Sequence, residues 1–233
     1  MADARSVTLV HTVAALAPVF NALVRELLPS GTRIVHIVDE DLLQDTIRNG
    51  TITEPTRERL DGYVSFAERG GAAAVLVTCS SVGALVDELA TDATLPVLRV
   101  DTAMADEAVG LGRRIGVLGT VSTTLEPTAE LVRSRAALAG RSVTVDVVLV
   151  DGAFAALQAG DTATHDARVL AALNGLLERV EVVVLAQASM ARVADQLPPD
   201  ARRVPILTSP RLGVERLARV LGEHHPATAV AHS

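Results

Sequence analysis

The sequence predicts an α/β protein built from two pseudo-symmetric halves, each a parallel sheet flanked by helices. Three observations carry that expectation. The chain repeats itself at an offset of about 108 residues, short β-branched runs alternate with helical stretches, and 49% of its 233 residues are hydrophobic. That length suits one large α/β domain or two small ones of roughly 110 residues each. Such an apolar share can bury a sizeable core and excludes disorder as the dominant state.

The repeat is visible in short anchors. Residues 7–13 (VTLVHTV) lie over residues 115–121 (IGVLGTV), which sets Val10 on Leu118, Thr12 on Thr120 and Val13 on Val121. The same offset sets residues 75–81 (VLVTCSS) over residues 183–189 (VVLAQAS), and Asp87 and Leu89 over Asp195 and Leu197. One inserted residue later, Pro96 and Leu98 match Pro205 and Leu207. Between these anchors Gly50, Leu60 and Glu68 match Gly160, Leu170 and Glu178. A single offset needing only small gaps across a whole half-chain marks a duplicated unit.

The elements follow in order. Residues 34–38, 74–77 and 97–100 read as buried parallel strands, as do 143–150 and 182–185 in the second copy. Val82, Leu85, Val86 and Leu89 recur at helical spacing on one face, and Met190, Val193, Ala194 and Leu197 copy that spacing. Alternating strands and helices imply parallel sheets covered on both faces. Ligands of such sheets sit beyond the carboxyl ends of the strands, so a site is expected there.

Composition removes much chemistry. All 21 basic residues are arginine, so no lysine is present to form a Schiff base or to complete a Walker-type phosphate loop. One cysteine, Cys79, excludes an intrachain disulfide framework and any multi-thiolate metal site. A net charge of −7 and only four aromatic residues (Phe20, Tyr63, Phe66, Phe154) argue against nucleic acid. No signal peptide or membrane span is read in the chain, so a cytoplasmic location is expected. No metal and no cofactor are expected. Residues 110–116 (GLGRRIG) loosely follow a dinucleotide-loop spacing but precede a strand, where such a loop does not work.

At the strand ends stand His11-Thr12 and Gly119-Thr120, then residues 78–81 (TCSS) and 186–189 (AQAS). Each set opens a helix, whose free N–H groups and dipole suit a small carboxylate. Thr12, Ser80, Ser81, Thr120 and Ser189 would add hydroxyls, although Ser and Thr also favour such places as plain N-caps. Cys79 follows a buried strand and opens a helix among hydroxyls, a setting that lowers a thiol pKa. Cys79 is therefore the leading functional residue.

The strand followed by Thr78-Cys79-Ser80-Ser81, with its counterpart in a second half-chain, resembles the aspartate/glutamate racemase superfamily, which includes hydantoin racemases, maleate isomerases and arylmalonate decarboxylases. The resemblance spans essentially the whole chain. It implies two α/β domains, 1–104 plus 208–233 and 105–207, with the site in the cleft between them and the last helix crossing back onto the first. It implies chemistry at the α-carbon of a small carboxylic acid without pyridoxal phosphate, and a homo-oligomer, since such enzymes are often dimers or larger.

Cys79 occupies the first family cysteine, but the second position holds Gln187, with Ala188 beside it. Glutamine exchanges no proton at neutral pH, so symmetrical two-thiol racemisation is not available. A single-thiol racemase or isomerase is the leading expectation, with Gln187, Ala188 and Ser189 among the substrate-binding residues. A one-cysteine decarboxylase of malonate type and a non-catalytic carboxylate-binding protein are the alternatives. His11 is the candidate for a second base, because its ordinary pKa lies near neutrality. Asp39, Glu40, His165, Arg192 and Arg211 are weaker candidates, with structural or surface roles expected. Adjacent His224 and His225 have poor metal geometry and are discounted.

Overall fold

The computed structural model describes residues 5–198 and 201–223; His224 and His225 lie outside the described residues. Strands β1 (Ser6–His11), β2 (Arg33–Val38), β3 (Ala74–Val77) and β4 (Val97–Arg99) form one sheet in the order β2-β1-β3-β4. Strands β5 (Arg114–Gly119), β6 (Thr144–Leu149), β7 (Val182–Leu185) and β8 (Ile206–Thr208) form a second in the order β6-β5-β7-β8. All pairings are parallel, and the register repeats with the sequence. Val10 pairs with Ile37 and Val77, while its counterpart Leu118 pairs with Val148 and Leu185.

Both sheets are covered on both faces, which is why their central strands β1, β3 and β7 are buried throughout. Successive side chains point to opposite faces. Val7, Leu9, Ala74 and Leu76 thus enter one core with Phe20 and Val24, and Val10, Val75 and Val77 enter another with Leu42, Leu60 and Leu85. The second sheet divides in the same way, with Ile115, Val117 and Val182 on one face and Leu118, Val183 and Leu185 on the other.

The helices are α1 (Ala17–Leu27), α2 (Asp41–Asn49), α3 (Glu54–Arg69), α4 (Gly83–Asp92), α5 (Thr102–Leu111), α6 (Ser122–Leu138), α7 (Ala153–Gln158), α8 (Thr162–Leu177), α9 (Ala191–Ala194) and α10 (Ser209–Glu223). Capping is duplicated along with the strands. Thr53 accepts from the Thr56 N–H at the start of α3, and Asp161, 108 residues on, accepts from the Thr164 N–H at the start of α8.

One expectation needs correction. The apolar set Met190, Val193, Ala194 and Leu197 is buried, but α9 ends at Ala194 whereas its counterpart α4 runs for ten residues. Pro198 follows Leu197, and the residue before a proline is disfavoured in helix, so the helix cannot extend through Leu197 as α4 extends past Leu89.

The halves also exchange helices. α5 leaves the first sheet and sends Met104, Ala105 and Ala108 into the core of the second. α10 leaves the second sheet and sends Val214, Leu217 and Leu221 into the core of the first, against Val7, Leu9 and Phe20. Among the described residues, no helix is long and apolar enough to cross a membrane.

Candidate active site

A cavity of about 120 Å3 lies between the halves at the carboxyl ends of β1, β3, β5 and β7. Thr12, Thr78, Cys79 and Ser80 line it from the first half; Ala186, Gln187, Ala188 and Ser189 line it from the second. The duplication therefore brings two equivalent strand ends face to face. A larger, shallower groove along α3, lined by Ile37, Glu58, Arg59 and Phe66, lies away from the strand-end positions of the second half.

Cys79 leaves β3 in an extended conformation, just before a short 3-10 turn over Ser80–Val82. Its side chain is 7% exposed. Burial pushes the thiol above its ordinary range, against hydrogen bonds from the Thr12 hydroxyl, the Ser81 and Val82 N–H groups and the Ser81 hydroxyl. This corrects the expectation of a lowered pKa. The helix-start donors are present, yet desolvation of a buried sulfur outweighs them.

The second half repeats the pairing with a different outcome. Thr120, the counterpart of Thr12, donates from its backbone N–H (2.6 Å) and from its hydroxyl (2.9 Å) to Gln187 Oε1. A backbone N–H must meet the carboxamide oxygen, so this contact fixes which end of the amide is which. The donors left to Gln187 are the two hydrogens on Nε2.

Several expected residues stand elsewhere. His11 is fully buried and does not line the cavity. Its Nδ1 meets Thr78 Oγ1 at 3.0 Å and its Nε2 meets His36 Nδ1 at 2.9 Å. Burial, and then the neighbouring His36, lower its pKa to about 4. With both nitrogens engaged behind the wall, His11 is not placed as a second base. Ser81 faces a separate cleft with Thr46 and Ser122, and its hydroxyl bonds Thr124 Oγ1 across the halves at 2.6 Å. Thr120 supports Gln187 and does not line the cavity.

The weaker candidates are engaged in structure. Asp39 accepts from Arg59 and Tyr63, Glu40 accepts from the Ala14 N–H, and Arg211 pairs with Glu26. Asp166 joins His165 to Arg192. Thr124, Leu16, Leu43, Phe154 and Leu157 line the cavity and escaped the sequence reading. One signal did point to Phe154: it is one of only four aromatic residues and follows shortly after a strand. Among the described residues, no cluster of three or more His, Cys, Asp or Glu side chains is placed to hold a metal ion.

Two parallel-sheet halves with a strand-end cleft and a thiol at its wall define a racemase-type α/β protein. Residues 9–217 match the Asp/Glu/hydantoin racemase family, and the chain belongs to that family. Membership supports an enzyme of the isomerase type. No curated protein matches the chain. Among solved structures it is similar in fold to allantoin racemase from Klebsiella pneumoniae (TM-score 0.67, 14% identity, 94% of this chain and 88% of that one covered). It is likewise similar to a glutamate racemase of Bacillus anthracis (TM-score 0.70, 16% identity, 94% and 82% covered). A third is the Picrophilus torridus aspartate racemase (TM-score 0.67, 11% identity, 94% of each chain covered).

Proposed function

We propose that this protein is a cofactor-independent isomerase acting at the α-carbon of a small carboxylic acid, with Cys79 as its one acid–base group. One observation carries the reading: Cys79 is the one ionisable side chain among the described residues lining the cavity, and it faces the pseudo-symmetric Gln187. The Cys79 thiolate takes the α-proton and leaves an enediolate, whose charge falls on the carboxylate oxygens. Gln187 Nε2 and the Ser189 hydroxyl supply hydrogen bonds to that charge. Return of the thiol proton to its own face restores the starting isomer. Inversion occurs when a water molecule protonates the Gln187 face instead, and the hydroxide it leaves takes the proton from the thiol to regenerate water and the thiolate. A catalytic thiol needs reducing surroundings, which fits a cytoplasmic enzyme.

The experiment is α-proton exchange in D2O, followed by NMR over a panel of small chiral carboxylic acids. Deuterium is expected to enter faster than optical activity is lost, because one face has a thiol and the other has none. Cys79→Ser should lower exchange by at least about 100-fold; exchange that survives the substitution refutes the thiol role. Because burial holds the thiol protonated, the rate should climb about tenfold per pH unit through neutrality as the thiolate fraction grows.

A further inference from the structure

The cavity walls say which carboxylic acids fit. Cys79 apart, no described lining residue carries an ionisable side chain. Facing the polar strand ends stand Leu16 and Leu43 from the first half and Phe154 and Leu157 from the second. Of the charged groups at the strand ends, Asp39 is held by Arg59 and Tyr63 and Glu40 by the Ala14 N–H, while Asp151 is exposed to solvent and outside the cavity lining. An ammonium or second carboxylate held against those walls would lose its hydration and meet no opposite charge. The polar side is equipped for one anionic head, with the Nε2 hydrogens of Gln187 turned away from Thr120 by the bonds to Oε1 and a hydroxyl on Ser189. The volume of about 120 Å3 suits a short alkyl substituent better than a bulky one, so the substituent is compact.

From these walls we propose that the cavity selects a monocarboxylate with a compact apolar substituent and turns away α-amino acids and dicarboxylates. This rests on the reading of the cavity as the active site. Leu16, Leu43, Phe154 and Leu157 are then the residues that set specificity.

The test is calorimetric titration with three probes of matched skeleton: 2-methylpentanoate, 2-methylglutarate and norvaline. The second replaces a terminal methyl with a carboxylate, and the third replaces the α-methyl with an ammonium. The wild-type protein should bind 2-methylpentanoate at least about 30-fold more tightly than either. Leu157→Arg, checked for folding by thermal melting, adds a cation to the apolar wall and should reverse the order in favour of 2-methylglutarate. Equal or tighter binding of the diacid or the amino acid by wild type overturns the proposal, as does no binding of any probe. A folded Leu157→Arg variant that keeps the wild-type order overturns the assignment of that wall; should it not fold, the wild-type comparison decides. Selective binding of 2-methylpentanoate without deuterium exchange would refute the isomerase reading and leave the specificity standing. Exchange on norvaline or the diacid alone would do the reverse.

Discussion

His11 ends β1 and Cys79 lies just beyond the neighbouring strand β3, both deeply buried, and burial acts on them in opposite senses. Desolvation penalises the charged form, so the thiol moves up and the imidazole moves down. For His11 this has a consequence for stability. Its pKa falls from 6.5 to about 4 on folding, so between those values the unfolded chain binds a proton that the native protein does not. Stability from this group is complete above pH 6.5 and is lost as pH falls toward 4, by up to roughly 3 kcal/mol. His36, which bonds His11 and is itself lowered by burial and by Arg25, adds in the same direction. Urea unfolding of His11→Gln between pH 7 and pH 4.5 should show a shallower loss of stability than wild type. Parallel curves for the two proteins would show that His11 carries no such linkage.

The turn bearing the thiol's neighbours is held from below by β4. Arg99, at the end of that strand, is buried with its Nε 2.8 Å and Nη2 3.1 Å from the Asp101 carboxylate and its Nη1 2.6 Å from Asp87. Gly83, first residue of α4, rests directly on this guanidinium, and a Cβ there would collide with it. Gly83→Ala should therefore displace Arg99 from its partners and destabilise the protein by roughly 3 kcal/mol, the order expected for breaking a buried ion pair. An unchanged urea midpoint would refute that coupling. This support was hidden in the sequence, because Arg99 reads as the polar end of a short strand and its counterpart in the second half is Thr208, which shares none of the chemistry. The strands themselves were legible, since buried parallel strands are β-branched runs and the repeat marks equivalent ends. The cavity's apolar walls were not. Leu43 and Leu157 lie on helices where an apolar residue has no pattern that separates a cavity wall from core, and only folding brings them to the thiol.

At the scale of the whole molecule, duplication is legible in the sequence down to the Thr12–Cys79 and Thr120–Gln187 pairs, but the exchange of helices between halves is not. A crossing helix carries the same apolar stripe whichever sheet it covers; α10 came from the family resemblance, and α5 has no signal of its own. The exchange makes each half complete its core with the other's last helix: Met104 and Ala108 of α5 under the second sheet, Leu217 and Val214 of α10 under the first. The Ser81–Thr124 hydrogen bond adds a tie beside the cavity. Neither sheet keeps its apolar face covered if the other unfolds, so the chain should unfold in one transition. The composition supplies the probe. There is no tryptophan and a single tyrosine, Tyr63 on α3 of the first half, so tyrosine fluorescence reports that half alone while far-ultraviolet circular dichroism reports both. The two signals should trace one urea curve. Leu217→Ala removes a fully buried side chain at the exchange and should cost about 2–5 kcal/mol, moving both curves by the same amount although the substitution lies beyond the last strand of the second half. A tyrosine signal that shifts while the dichroism splits into two steps would show that the halves fold independently and that α10 packs on the first sheet without coupling them.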